Sequence, residues 1–315
     1  MAFTKNPKDK TATAAFLNSV VVRFLLNFLA PTLDFKLGHI LNLPFKDLSL
    51  NLNDSNVEKL ISNSANDWDA YERSWDFQSL PLLTASSDPT PTLESSYTAW
   101  ITENRDTIAE MKRLEEENNR LFIDAYGLAD ELTPDVPIEQ ITLTVNPAYR
   151  YGGKLTEEEQ WTRFRQDTME ELVSYAIGCM MGRYSLDAPG LILADTRPTQ
   201  AEHISAYSEK VGKPMEALKF QPDEDGIIPV LDGEWFEDDV VARFRAFLRA
   251  AFGDDSLEEN LRFLEEAIGK KIRKYFVADF YKKHIQTYKK RPIYWLFQSP
   301  KKSFQALVYL HRYDR

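Results

Sequence analysis

Apolar residues recur along this chain in two spacings, one typical of helices and one typical of strands. Helical spacing extends over residues 9–30, 54–78, 93–131, 156–183, 236–252 and 256–268. Near the end of the chain, residues 293–297 and 304–309 are rich in β-forming side chains and flank a polar turn, so they predict a β-hairpin. The sequence therefore predicts an α+β fold that is predominantly helical, with a helix bundle-like C-terminal domain, short strands and a terminal β-hairpin.

The sequence also predicts extended segments, a loop and one helix start outside or at the edges of these helices. Residues 33–44 have the pattern of an extended segment, and residues 138–145 have that of a strand. Residues 80–92 are rich in Thr, Pro and Ser, which predicts a linker or an exposed loop. Thr156, followed three positions later by Glu159, predicts a capping box at the start of a helix.

Charge is distributed unevenly along the chain. The net charge is −11, yet residues 270–315 hold 13 Lys and Arg against 2 Asp and Glu, which leaves 25 against 47 in the other 269 residues. A hydrophobic content of 43% excludes wholesale disorder. The acidic balance excludes nucleic-acid binding over the whole surface, because phosphate contacts need Lys and Arg. A local basic face on an acidic body remains compatible with it.

The sequence holds little that could support independent catalysis or a metal. Cys179 is the only cysteine, which excludes an intramolecular disulfide and a cysteine-based zinc site and indicates a reducing cytoplasm. None of the four histidines pairs with another at ligand spacing, and no nucleophile or phosphate-loop motif is present. We therefore predict no catalytic residues, no metal and no cofactor in this chain. Polar residues interrupt the apolar run 14–30, which we interpret as a buried helix with no role in a membrane.

The basic end of the chain is the best candidate for a binding surface. Lysine pairs alternate with aromatic residues in a helix predicted over 269–288, and further cations follow in the hairpin. A concentration of positive charge in an otherwise acidic protein is typical of a phosphate-contact surface. The candidate DNA contacts are Lys282, Lys283, Lys289, Lys290, Arg291, Lys301, Lys302 and Arg312. A competing interpretation stays open, in which these lysines are only the solvated face of a helix whose aromatic residues are packed.

Four stretches of the sequence resemble a known family. They are KRPIYWLFQSPKKSFQALVYLHRYD at the hairpin, IGCMMGRYSLDAPGLILAD at 177–195, DEDGIIPVLDGEWFEDDVVARFRAFL at 223–248, and AFLNSVVVRFLL with PTLDFKLGHILNLPF near the start. Taken in their order along the chain, they resemble the C-terminal region of the PglX family, the adenine-specific DNA methyltransferases of BREX phage defence. The resemblance covers nearly the whole chain.

The resemblance implies a division of the chain and a role for it. Residues 1–50 would be the end of a target-recognition domain, 51–135 a long-helix spacer, and 136–315 a mixed helical domain with the basic helix and hairpin. Full-length family members would transfer a methyl group from S-adenosylmethionine to an adenine amine in double-stranded DNA. Since the methyltransferase core of the family is missing here, the resemblance implies a fragment that is inactive alone, holds DNA and docks other BREX components.

The loop Asn146–Pro–Ala–Tyr149–Arg150 partly matches the Asn/Asp-Pro-Pro-Tyr/Phe loop that amino-methyltransferases use around a flipped base. Here Ala148 replaces the second proline, and no Gly-rich cofactor loop precedes the motif. We interpret it as a turn into a helix and assign it no catalysis. Two further functions stay open for the chain as a whole, a protein-interaction adaptor whose acidic body binds a basic partner and an acidic DNA mimic that acts as an inhibitor.

Overall fold

The structure, a computed structural model, describes residues 7–29, 36–46, 53–196, 199–301 and 303–313. Its helices are α1 (Pro7–Leu17), α2 (Val20–Leu29), α3 (Leu37–Leu41), α4 (Asp54–Asp69), α5 (Leu93–Tyr126), α6 (Pro147–Tyr151), α7 (Glu157–Met180), α8 (Gln200–Val211), α9 (Val240–Phe252), α10 (Leu257–Ile268), α11 (Ile272–Tyr275) and α12 (Tyr281–Thr287). Its strands are β1 (Ile227–Pro229), β2 (Trp295–Gln298) and β3 (Gln305–Val308). The predicted fold class, predominantly helical with a small sheet, is confirmed.

The chain forms two compact units, and neither is a continuous stretch of sequence. Unit 1 contains Met1–Trp68 and Glu103–Leu155, and unit 2 contains Asp69–Thr102 and Thr156–Arg315. Each unit has its own apolar core. Unit 1 packs α1 and α2 against the second half of α5, whereas unit 2 packs α7, α9 and α10 together with the inner face of the sheet. The three-part division of the chain by sequence resemblance stays a prediction.

The helix predicted over 9–30 is two helices in unit 1. The hydroxyl of Ser19 donates to the carbonyl of Phe16 at 2.7 Å and accepts the N–H of Val22, so it ends α1 and caps α2. The side chain of Asn119 accepts the N–H of Val20 at 2.8 Å, which ties the start of α2 to α5. The prediction of one helix failed because both helices keep the same apolar spacing across the break.

Two predicted extended segments of unit 1 are also wrong. In the described part of residues 33–44, Leu37–Leu41 is a short helix, while residues 33–35 lie outside the described residues. In place of the strand over 138–145 there is a single 3-10 turn, Ile138–Gln140, followed by irregular chain. The carboxylate of Asp67 accepts the N–H groups of Thr144 and Val145 at 2.7 and 2.9 Å, so a side chain takes the place of a neighbouring strand.

The predicted start of α7 in unit 2 is confirmed. The hydroxyl of Thr156 accepts the N–H of Glu159, and the Glu159 carboxylate accepts the N–H of Thr156 at 2.8 Å. Beyond this capping box, α7 becomes apolar on most sides and is buried between α9 and α10. The predicted linker over 80–92 is partly core, because Leu80 and Leu82 are buried in the same cluster. The Thr, Pro and Ser content of this segment predicted a loop and did not indicate that the two leucines pack into the core.

The basic helix predicted over 269–288 is present from α11 to α12, with a wider π-helical segment, Phe276–Phe280, between them. The aromatic residues Tyr275, Phe276 and Phe280 are buried in the core of unit 2. This packing is the one expected of the aromatic face of the helix.

The sheet has the order β1, β3, β2 and is antiparallel throughout. The predicted hairpin is confirmed as β2 and β3, with Phe297 opposite Ala306. The pairing of β1 with β3, with Ile228 opposite Leu307, was not predicted, because the 75 residues 230–304 separate β1 from β3 and three residues give little strand signal.

Candidate nucleic-acid interface

Two lysines shape the junction between α12 and the hairpin. Lys289 and Lys290 have φ of 51° and 65°, and they are the non-glycine residues that the described structure places in the left-handed region. The N–H of Lys290 donates to the carbonyl of Ile285 at 2.8 Å, and that of Lys289 donates to Gln286 at 3.2 Å. This is the Schellman arrangement that ends many helices, and its left-handed position usually holds glycine. Here Lys289 occupies this position and Lys290 follows it, so both lysine side chains lie at a sharp reversal of the chain.

His284 fixes the chain after this reversal. Its Nε2 accepts the N–H groups of Ile293 and Tyr294 at 3.0 and 3.2 Å, which requires the imidazole to be neutral. Burial, with the positive charge of Arg183 as a second cause, lowers the pKa of His284 to about 4. The ring is enclosed by aromatic neighbours, including Tyr288 and Tyr294. These contacts fix the position of the backbone where the chain enters β2.

The buried carboxylate of Glu72 contacts the junction between α12 and the hairpin. The Glu72 carboxylate accepts hydrogen bonds from the hydroxyls of Ser174 and Tyr288, at 2.8 and 3.1 Å. Burial raises the pKa of the Glu72 carboxyl, and these hydrogen bonds and the charge of Arg183 oppose that rise. The contact anchors Tyr288, the residue immediately before the two left-handed lysines.

Five of the eight candidate cations are exposed, namely Lys282, Lys289, Lys290, Arg291 and Lys301. Three of them, Lys289, Lys290 and Arg291, are consecutive and precede β2, and Lys301 lies in the turn between β2 and β3. Lys302 lies outside the described residues. The sequence between residues 280 and 313 contains no Asp or Glu, so this segment brings no carboxylate of its own near the cations.

The remaining two candidates have internal partners. Lys283 forms ion pairs with Asp167 and Glu170 at 2.7 and 2.6 Å. Arg312 is buried, and its guanidinium donates to the carbonyls of Met181 and Glu224 at 3.3 and 2.6 Å. These contacts use both cations to hold unit 2 together, so neither belongs to the exposed cationic surface.

Other cations of the basic end are also paired within unit 2. Lys270 pairs with Asp279, and Lys271 pairs with Glu265 at 2.7 Å. Fewer cations of the basic end are therefore exposed and without an ion-pair partner than the count of thirteen indicated. Among the described residues, exposed cations lie around the hairpin and also on α11 and α12.

The outer face of the sheet carries exposed aromatic rings. Trp295 and Phe297 are 46% and 54% exposed, Phe304 is 46% exposed, and Phe236 packs edge-on against Phe304 with the ring centroids 6.4 Å apart. The opposite face, with Leu296 and Leu307, packs on the core. Sequence reasoning predicted the hairpin but did not separate these two faces, although the alternation along β2 contains the signal.

The Asn146 loop has a structural role in unit 1. The Asn146 amide donates to the carbonyls of Ile138 and Ile141 at 2.7 and 2.9 Å, and its oxygen accepts the N–H of Ala148 at 3.2 Å. The buried side chain thus starts α6 and has both donors engaged. Tyr149 is exposed, and the guanidinium of Arg150 lies 5.5 Å from the ring centroid of Tyr151. The polar atoms of the Asn146 side chain are therefore engaged within unit 1.

The described strands can be compared with the unit that cradles nucleotide-like cofactors. None of the three strands leads through a Gly-rich loop into a helix, the unit that cradles nucleotide-like cofactors. In the described part of the chain, no three His, Cys, Asp or Glu side chains are grouped to hold a metal ion.

No individual helix among the described residues has both the length and the apolar composition of a membrane span. The helices Lys10–Leu17 and Val20–Leu29 meet these two criteria only when they are taken together, and they are bent by 66° relative to each other.

Comparison with known proteins gives the family relationship. No family model matches the sequence. The adenine-specific methyltransferase PglX of Lacticaseibacillus casei (strain Zhang) is 39% identical over 96% of this chain and 24% of its own length. The adenine-specific methyltransferase BrxX of Escherichia coli O9:H4 (strain HS) is 36% identical over 95% of this chain and 25% of its own length. The chain thus spans about a quarter of the length of these curated relatives, and the resemblance seen in its motifs is confirmed: it is a homologue, over that quarter, of the PglX and BrxX adenine-specific methyltransferases.

Proposed function

We propose that this chain is the C-terminal DNA-binding part of a site-specific adenine DNA methyltransferase that acts in BREX phage defence in the cytoplasm. In the full-length protein, a separate core would transfer the methyl group of S-adenosylmethionine to the exocyclic amine of adenine. The part described here contributes no catalytic residue. Its hairpin holds the backbone of double-stranded DNA, and residues 1–50 complete the target-recognition domain. Other BREX components would dock on the same polypeptide.

The observation that carries this proposal is the left-handed conformation of Lys289 and Lys290. A side chain in that region costs about 1 kcal/mol relative to glycine, because its Cβ crowds the backbone. Two consecutive lysines bear this cost at a position where glycine would serve the fold better. Strain of this kind is typical of functional sites. A requirement for positive charge at this bend explains it.

The surrounding charge supports the same conclusion. Lys289, Lys290, Arg291 and Lys301 are exposed on a segment without carboxylates, whereas the chain as a whole has a net charge of −11. An acidic body repels DNA from most of its surface, so the polyanion would be directed to the hairpin. Lysine contacts of this kind add affinity for phosphates without reading the base sequence.

The test is salt-dependent binding to a fluorescent 20-base-pair duplex of arbitrary sequence. The triple variant Lys289→Glu, Lys290→Glu, Arg291→Glu should bind at least tenfold more weakly than the parent at low salt. The slope of log affinity against log salt should be smaller in magnitude by about 3 for this variant. Each of the three lost phosphate contacts lowers the magnitude of the slope by about 0.9. A control variant with the same charge change, Lys10→Glu, Lys154→Glu, Arg262→Glu, alters exposed cations that are far from the hairpin in sequence and should keep the parental slope.

Equal loss of affinity in both triple variants would contradict the proposal, because only net charge would then matter. Duplex binding that is indifferent to salt would contradict it as well. Absence of any DNA affinity, with competition against DNA for a basic enzyme, would identify the acidic mimic instead. Retention of a protein partner after nuclease treatment, without DNA binding, would identify the adaptor.

A further inference from the structure

The proposed function uses the cations of the hairpin and leaves its exposed rings unexplained. Trp295, Phe297 and Phe304 lie on the same face of the sheet, because Phe297 is opposite Ala306 and residues two positions apart in an antiparallel pair share a face. On the same face, Ala306 and Val308, the cross-strand partners of Phe297 and Trp295, are buried. An exposed apolar ring costs solubility and gives the fold little, so a face with three of them indicates a ligand.

We infer that this outer face stacks unpaired nucleobases, so that the hairpin takes single-stranded DNA in addition to the backbone of a duplex. Aromatic rings stack on any base, and the interaction needs the face of the base to be free. The inference rests on the proposed function for its phosphate contacts and adds to it the form of DNA that is bound.

The spacing of the rings favours a single strand. Trp295 and Phe297 are two strand positions apart, which places their attachment points about 7 Å from each other. Phe297 and Phe304 are diagonal neighbours across the hairpin, again about 7 Å apart. Successive bases in a duplex are separated by 3.4 Å and hide their faces from one another. Only an extended, unpaired strand can present successive bases to rings at this spacing.

The charges around the rings give the strand a path. Arg291 lies four residues before Trp295, and Lys301 lies in the turn beyond Phe297, so cations flank the rings at both ends of β2. On the other side, the loop that carries Phe236 also carries the exposed acids Glu237 and Asp238. Phosphates would be repelled from this loop. The bound strand should therefore keep its backbone over the hairpin, with its bases directed to the rings.

The test compares fluorescent oligo(dT) of 12 nucleotides with the 20-base-pair duplex. In the full chain, the double variant Trp295→Ala, Phe297→Ala should bind oligo(dT) at least tenfold more weakly and keep its duplex affinity within twofold. The control Trp75→Ala removes a fully exposed tryptophan elsewhere in unit 2 and should leave both affinities unchanged. Trp295→Phe should retain oligo(dT) affinity but lose the part of the tryptophan quenching that stacking on Trp295 causes.

A second variant tests the path of the strand. Glu237→Lys, Asp238→Lys should raise oligo(dT) affinity, because it removes the repulsion near Phe236. If the variant Trp295→Ala, Phe297→Ala kept the parental affinity for oligo(dT), the inference would be overturned. The proposed binding of the duplex backbone would not be affected by that result. Loss of a protein partner in that variant, with oligo(dT) binding unchanged, would also overturn it and assign the rings to protein docking. Failure of the cation triple variant to weaken duplex binding would instead contradict the proposed function and its phosphate contacts, while the oligo(dT) affinity of the ring variant would still decide whether the rings stack on bases.

Discussion

The carboxylate of Asp239 accepts a hydrogen bond from Nη1 of Arg273 at 2.6 Å, and the Asp239 side chain is almost completely buried. The other carboxylate oxygen accepts the N–H groups of Val241 and Ala242 at 2.9 and 2.8 Å, so one residue both caps α9 and binds α11 to it. Arg273 also donates to the carbonyls of Leu231 and Gly233. A cation of the basic end thus holds together the loop that precedes α9.

Replacing this aspartate should therefore destabilise unit 2. Asp239→Ala removes a helix cap and leaves the Arg273 guanidinium without its buried partner, so we expect a loss of about 3 kcal/mol in the free energy of unfolding. Urea denaturation followed by circular dichroism measures it. The exposed neighbour gives the control, since Asp238→Ala should change the free energy by less than about 0.5 kcal/mol. Similar effects of the two variants would show that the Asp239 contacts contribute little.

Stability should also depend on pH through His284. Its pKa is about 4 in the folded protein and 6.5 in a model peptide, so the unfolded chain binds more protons between these values. The contribution of the neutral ring is complete above pH 6.5 and is lost as the pH falls to about 4, and the difference corresponds to about 3 kcal/mol.

The matched variant for this pH effect is His284→Gln, whose amide oxygen can accept a hydrogen bond but does not titrate. Denaturation at several pH values should show the parent losing stability faster than the variant between pH 6.5 and 4. Parallel curves would mean that His284 titrates as freely in the folded protein as in the unfolded chain.

The Asn146 loop allows a test that separates structure from catalysis. Asn146→Asp is conservative in a methyltransferase loop, where either residue serves. Here it replaces the amide that donates to Ile138 and Ile141 with a carboxylate that faces two carbonyl oxygens. We expect a loss of about 2 kcal/mol in the free energy of unfolding. Tyr149→Ala, at an exposed position of the same loop, should change it little. An aspartate variant as stable as the parent would contradict the structural role.

Lys289→Gly should change stability and DNA affinity in opposite directions. Glycine adopts φ of 51° without a Cβ clash, so the variant should unfold at a slightly higher urea concentration, with a gain of up to about 1 kcal/mol. The same variant loses a phosphate contact and should bind the duplex more weakly. Lys289→Ala is the control for the charge alone, because alanine keeps the strain. A glycine variant with parental DNA affinity would remove the functional reason for the strained lysine.

Several features could be predicted from the sequence because they depend on residues close together in the chain. The capping box of Thr156 and Glu159 joins groups three positions apart, and its geometry is as predicted. Helical periodicity identified α5, α7, α9 and α10, whose apolar faces are long enough to leave no competing interpretation. The hairpin followed from two β-rich runs around a polar turn. The family resemblance was likewise carried by short motifs.

Other features were decided by the tertiary structure, because their causes lie far away in sequence. Asp67 accepts the N–H groups that a strand over 138–145 would have given to a neighbour, and β1 pairs with β3 across the whole of α9 to α12. The sequence shows that a side chain is charged, but it does not show which residues surround that side chain in the fold. Arg312 and Lys283 count as surface cations in the sequence, but backbone carbonyls and carboxylates from distant elements engage them. The sequence by itself determined the helices, the hairpin and the excess of positive charge near the end. Only tertiary packing decided which of those cations, and which aromatic rings, face the solvent, since burial is a property of neighbours brought together by folding.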